Sequence, residues 1–245
     1  MPKLFYKKEN KKSIVLMHGF LSSPREMKEL GTYLNKNGFN IYYLRFPGHG
    51  TSPENLENIS YEDFIYAGEE ALVLLNILSE NVFLCGISLG AAVASILASR
   101  LDFIKKTILL SPPLKFIKYF ENPNEKDGFK SVLEKLSFKK NDENKIKACI
   151  YPRYRYSFAG SLAVREMKKI SEEMSECLEK IVNPCLVIQS YNDPLVDPKS
   201  GYRVFEKISS EDKSLLYINS REHSIINSDK KDAVFENIRM FLENC

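Results

Sequence analysis

Apolar positions in this chain fall into short unbroken runs that alternate with stretches of three-to-four-residue spacing. Ser13 to Met17 (SIVLM) is one such run, and it ends at His18-Gly19. Runs of this length without polar alternation predict strands buried on both faces. From Pro24 to Asn37, Met27, Leu30 and Leu34 keep a helical spacing that stops at Asn37-Gly38. Phe39 to Phe46 (FNIYYLRF) reads as the next strand, broken by Pro47-Gly48. Ser60 to Leu78 predicts a helix with Ser60 as cap, Asp63 at the capping-box position and an apolar stripe of Phe64, Ala67, Ala71, Leu74, Leu75 and Leu78. Val82 to Cys85 is again a strand, Leu89 to Arg100 a helix, and Lys106 to Leu110 a strand closed by Ser111-Pro112-Pro113.

The rhythm breaks over residues 113–180, which are charged and carry no strong strand signal. Phe129, Val132, Leu133 and Leu136 keep a helical period there, and Leu162, Met167 and Met174 do so more loosely. It resumes with a strand at Cys185 to Gln189, a helix from about Ser200, a strand at Ser214 to Asn219 and a helix from Asp229 to Leu242. Strands alternating with crossover helices predict an α/β fold, a mostly parallel twisted sheet flanked by helices. Residues 1–112 and 181–245 are expected to form its core and 113–180 a helical lid over an active site. The plainer alternative is a helical excursion that only covers the sheet.

Composition narrows this little. The 245 residues suit one α/β core with an insertion. A net charge of +3 with lysines spread along the chain argues against nucleic acid as a partner. The five cysteines include no C-x-x-C, and Met1-Pro2-Lys3-Leu4 opens no apolar leader. Reduced thiols, a cytoplasmic location and no stable membrane insertion are therefore expected, since no apolar run is long enough to span a bilayer. No coiled-coil period points to a fixed assembly, so a monomer or weak homo-oligomer is expected.

The chemistry gathers where strands end. Gly86-Ile87-Ser88-Leu89-Gly90 lies between the run Asn81 to Cys85 and the helix that starts at Leu89. A chain that leaves a strand and enters a helix this abruptly exposes the apex side chain on a strained backbone, and the flanking glycines let strand and helix approach. Ser88 is thus a candidate nucleophile. A serine needs a base, and the base a partner that holds its tautomer.

Of the three histidines, His18 and His49 sit in turns that they are suited to shape. His223 follows the last strand, at the edge where ligands collect in such sheets. It is the candidate base. Asp193, three residues past the strand Cys185 to Gln189, is the candidate acid. Its rival, Asp197, precedes Pro198 and a helix, a place N-capping explains. The amide of Leu89, at a helix N-terminus, and that of Phe20, in the loop after the Ser13 to Met17 strand, are candidate oxyanion donors. Phe20 also suits an apolar wall. Phe116, Phe120, Phe158 and the cluster Tyr151 to Tyr156, with Arg153 and Arg155, could line an acyl pocket or merely pack lid helices.

These motifs in this order resemble an α/β-hydrolase, and among such proteins the chain is similar to small bacterial carboxylesterases and monoacylglycerol lipases. The matching residues are His18-Gly19-Phe20, Arg45 to Gly50, Gly86 to Gly90, Asn192 to Pro198, and His223 before Asp229. The resemblance implies a nucleophile at Ser88, acid at Asp193, base at His223, oxyanion amides at Phe20 and Leu89, and no metal or cofactor. It implies hydrolysis of short- to medium-chain carboxylic esters, monoacylglycerols among them, through an acyl-enzyme. Thioesters and amides would use the same machinery, and a non-catalytic ligand binder is the alternative from another class. Glu222 departs from the pattern by standing where glycine usually precedes the histidine; it is expected to raise the histidine pKa or crowd its loop.

Overall fold

In a computed structural model, the described residues are 2–117, 156 and 161–243. Seven strands form one sheet: β1 (Lys3–Phe5), β2 (Lys12–Met17), β3 (Phe39–Leu44), β4 (Asn81–Ile87), β5 (Ile104–Leu110), β6 (Cys185–Ser190) and β7 (Lys213–Ile218). Their order across the sheet is β1-β3-β2-β4-β5-β6-β7. Every pair is parallel except β1 with β3, where Lys3 lies opposite Tyr43. β1 escapes the sequence reading because three half-exposed residues carry neither period nor length.

Successive side chains of a strand point to opposite faces, and here both faces are apolar. Ile14, Leu16, Phe83, Cys85, Ile108 and Ile188 face one core layer, covered by α1 (Lys28–Lys36) and α6 (Lys231–Glu243). Val15, Met17, Leu84, Leu109 and Val187 face the other, covered by α2 (Tyr61–Leu78), α3 (Leu89–Ala98), α4 (Ser161–Cys177) and α5 (Lys199–Lys207). This double coverage is why the central strands read as continuous apolar runs. α3 is buried along its whole length, so its small residues set how closely it approaches the sheet.

Local signals hold at most boundaries. Ser60 and Asp63 form the expected capping box, with Ser60 N donating to Asp63 Oδ2 at 2.8 Å. The Pro24 helix begins as a 3-10 turn over Pro24–Met27 before α1 proper, and Gly38 ends it with φ +86°. β3 stops at Leu44 rather than Phe46, because the Phe46 amide is taken by His18 Nε2 at 3.3 Å instead of a neighbouring strand.

α4 lies in the span read as a helical lid, and it packs on α3 and α2. Met167, Ile170, Met174 and Cys177 join the same core layer as the sheet. Glu166 accepts the Tyr61 amide at 3.1 Å, and Arg100 pairs with Glu173 at 2.7 Å. Leu162, expected on its apolar stripe, is largely exposed, and Ala163 takes the inward place. The helical period at Phe129 to Leu136, together with Phe120, Phe158 and Tyr151 to Arg155, lies outside the described residues.

Candidate active site

The site gathers at the carboxyl ends of β2, β4, β5, β6 and β7. Ser88 stands between β4 and α3 with φ 54° and ψ −116°, a conformation L-residues rarely adopt. The close fit around it explains the glycines. A Cβ on Gly86 would collide with the Gly90 carbonyl, and one on Gly90 with the Met17 carbonyl at the end of β2. Two further non-glycine residues among those described have positive φ, Leu21 (61°) and Ser111 (46°). All three stand just past the ends of neighbouring strands, so backbone strain is concentrated at this edge of the sheet.

Hydrogen bonds run from the elbow to the histidine loop. Ser88 N donates to Leu110 O at 2.9 Å, Ser111 N to Ile188 O at 2.8 Å, and Ser111 Oγ to His223 O at 2.9 Å. Ser190 Oγ holds Ser220 O at 2.5 Å from the side of β6. Ser88 is 8% exposed and His223 7%.

His223 and Asp193 meet directly, Nδ1 to Oδ2 at 2.8 Å, with the Asp193 side chain fully buried. The carboxylate is saturated: Oδ1 accepts the amides of Leu195 (2.9 Å) and Val196 (3.0 Å), and Oδ2 also accepts Gln189 Nε2 at 3.1 Å. A carboxylate only accepts, so Nδ1 carries the hydrogen and the basic lone pair lies on Nε2. Asp197 is separate; its Oδ1 accepts the Lys199 amide at 3.0 Å at the start of α5, the capping role expected of it.

His18 and His49 are used differently. His18 Nδ1 donates to Gly19 O (2.8 Å) while Nε2 accepts from Phe46 N (3.3 Å). His49 Nδ1 donates to Pro47 O (3.0 Å) while Nε2 accepts from Leu21 N (3.2 Å). Each neutral ring is satisfied by one donor and one acceptor bond. Burial pushes the imidazoles down, to about 4 at His18 and about 3 at His49, where the neighbouring His18 adds to the effect. His49 also stacks on Tyr156 at 6.3 Å, and Tyr156 N donates to Leu21 O at 2.7 Å. The pair thereby shapes the loop that carries Phe20.

That loop abuts the elbow: a Cβ on Gly19 would lie 3.5 Å from Ser88 Cβ. Leu89 opens α3, whose first amides have no acceptor within the helix. Glu222 is exposed and does not have positive φ, so glycine's freedom is not required there, and its amide donates to Ser220 Oγ at 3.0 Å. Phe116 pairs with Val196 in an isolated bridge beside Asp193.

Gln189, Ser111, Ser190 and Glu26 escape the sequence reading. The one available signal was Gln189, a polar residue closing the apolar run of β6. The free thiols Cys85, Cys177 and Cys185 are buried, which raises their pKa, to about 11 at Cys177 and about 12 at Cys185. None is poised as a nucleophile. Cys149 and Cys245 lie outside the described residues. Among the described residues, no cluster of three or more His, Cys, Asp or Glu is arranged for a metal, and no helix is long and apolar enough to cross a membrane.

Known proteins agree with this architecture. A carboxylesterase of Bacillus subtilis (strain 168) is 24% identical over 246 residues, covering 99% of this chain and 96% of the relative. A thermostable monoacylglycerol lipase of Bacillus sp. (strain H-257) is 23% identical over 89% of this chain and 85% of its own. Among solved structures, the monoacylglycerol lipase of Paleococcus ferrophilus superposes with TM-score 0.80 at 22% identity, over 99% of this chain and 97% of that one. The fold is that of an α/β-hydrolase with an insertion between β5 and β6. The family model described as serine aminopeptidase, S33, matches residues 8–230. With nearly the whole chain matched and a seven-stranded hydrolase sheet behind the match, this protein belongs to the serine aminopeptidase S33 family of α/β-hydrolases.

Proposed function

We propose that the protein is a serine carboxylic-ester hydrolase that works through an acyl-enzyme, with Ser88 as nucleophile, His223 as general base and Asp193 as its orienting acid. The observation that carries this reading is the buried 2.8 Å pair of His223 and Asp193, linked to a strained Ser88 through the Ser88–Leu110 backbone bond and the Ser111 hydroxyl. Ser88 Oγ attacks the ester carbonyl as its proton passes to His223 Nε2. The resulting oxyanion is met by the Phe20 and Leu89 amides at the mouth of α3, where the helix dipole favours negative charge. Collapse expels the alcohol, which takes the proton from His223. Water, deprotonated by the same nitrogen, then releases the acid and frees Ser88.

Short- to medium-chain esters, including monoacylglycerols, are the proposed substrates, supported by the names of the relatives above. The test is hydrolysis of p-nitrophenyl butyrate and of a monoacylglycerol series of graded acyl length, with wild type beside Ser88→Ala. Turnover by wild type alone, with a fluorophosphonate probe labelling Ser88, is the expected result. Equal turnover by both proteins would refute the reading. The family's description as a serine aminopeptidase favours one second reading, cleavage of an amide at the same serine. An aminoacyl p-nitroanilide turned over faster than the matched ester would select it.

A further inference from the structure

Glu26 is buried at 5% exposure in the 3-10 turn that follows the β2 loop. Its Oε2 accepts the Gly19 amide at 2.8 Å, and its Oε1 accepts the Ser224 hydroxyl at 3.0 Å. Gly19 directly precedes Phe20, and Ser224 directly follows His223. One carboxylate therefore reaches two loops that come from opposite ends of the chain. The link is reinforced by Asn227, whose Nδ2 donates to Ser224 Oγ at 2.9 Å and to the Glu26 carbonyl at 3.4 Å.

A buried carboxylate is unfavourable unless hydrogen bonds replace its water, and an apolar side chain in this turn would avoid that cost. Bonds to a charged acceptor are also shorter and about twice as strong as neutral ones, so they hold geometry as well as energy. We infer that Glu26 is a positioning residue that ties the Phe20 loop to the His223 loop, setting the oxyanion donors and the base in one frame. This rests on the proposed roles of Phe20 and His223. Each arm also has its own local support, His49 for Leu21 and Ser111 for His223. The Glu26 carboxylate bonds to both loops at once.

The variants separate the tie from simple stability. Glu26→Gln can still accept the Gly19 amide and can donate its NH₂ to Ser224 Oγ, whereas Glu26→Ala loses both bonds and Ser224→Ala loses one. Amide hydrogen exchange of the full chain is read over residues 18–22 and 220–228, together with steady-state ester kinetics. Glu26→Ala is expected to raise exchange in both segments together. It should lower kcat by up to ~10²-fold, the effect of a roughly 1 Å misplacement, with KM little changed. Glu26→Gln should restore most of kcat, and Ser224→Ala should add little on top of Glu26→Ala. Loosening confined to one loop, an unchanged kcat when both loosen, or Glu26→Gln as slow as Glu26→Ala would each overturn the inference. If wild type hydrolyses no ester, the proposed function fails, and the exchange pattern still decides the tie.

Discussion

The His18–His49 loops and the Asp193–His223 loops use the same side chain in the same kind of place, just past a strand, to opposite ends. In the first region two imidazoles meet edge to face at 5.1 Å, and each spends both nitrogens on backbone groups. Neither ring nitrogen is left for a substrate, and protonation would force a new N–H against an amide that already donates. In the second region a single imidazole has a carboxylate on Nδ1, which orients the ring and stabilises it when charged. A histidine's role is thus decided less by its loop than by whether its second nitrogen meets a backbone amide or a site.

Substitution of each pair should separate the regions, most sharply in turnover. Ser88→Ala or His223→Ala is expected to lower kcat by ~10⁶-fold, the loss seen when a nucleophile or base is removed from a triad. Thermal stability should stay near wild type. His49→Ala should do the reverse, with folding lost before chemistry. Asp193→Asn should keep the fold and lower kcat by ~10⁴-fold, because an amide can donate to the ring and select the wrong tautomer. Steady-state kinetics beside circular dichroism melts would check all four; a His49→Ala protein that is stable but inactive would erase the distinction.

Acid should act on the first region. Below the ordinary histidine pKa of 6.5 the unfolded chain binds protons that His18 and His49, held down to about 4 and about 3, do not bind in the folded state. The unfolded state then holds more protons, so stability falls as pH drops from 6.5 towards 4. With both rings contributing fully, the slope approaches about 2.7 kcal/mol per pH unit, two protons' worth. Urea unfolding at pH 7, 6 and 5 measures it, and His49→Gln should remove about one proton from the slope.

Two smaller tests concern the frame. Gly86→Ala drives a methyl into the Gly90 backbone and should cost about 1–3 kcal/mol or more, with turnover falling as the elbow shifts. Asp197→Ala should cost only ~1 kcal/mol through the lost cap and leave kcat intact. A collapse of turnover there would move the acid from Asp193 to its rival.

Much of this was legible from local patterning. Buried strands announce themselves as apolar runs because helices cover both faces of the sheet, and the elbow announces itself because only glycine fits at 86 and 90. Where the contacts were distant, the reading failed. β1 pairs only at its edge with β3 and has too few residues to show a period, while on α4 the period placed Met167 and Met174 inward correctly and missed only that Ala163, not Leu162, faces the core. Glu26 carries no signal in the sequence, since nothing near it reveals a partner 198 positions away.

The sequence by itself determined the alternation of strand and helix, the strained serine between them and the short list of titratable groups past the strand ends. These depend on period, glycine placement and chain order, which are local properties. Only the tertiary structure decided that His18 and His49 are closed on the backbone while His223 closes on Asp193. It alone joined Gly19 to Ser224 through Glu26. Hydrogen bonds between loops depend on which strand ends the sheet order brings side by side, and that order exists only once the chain has folded.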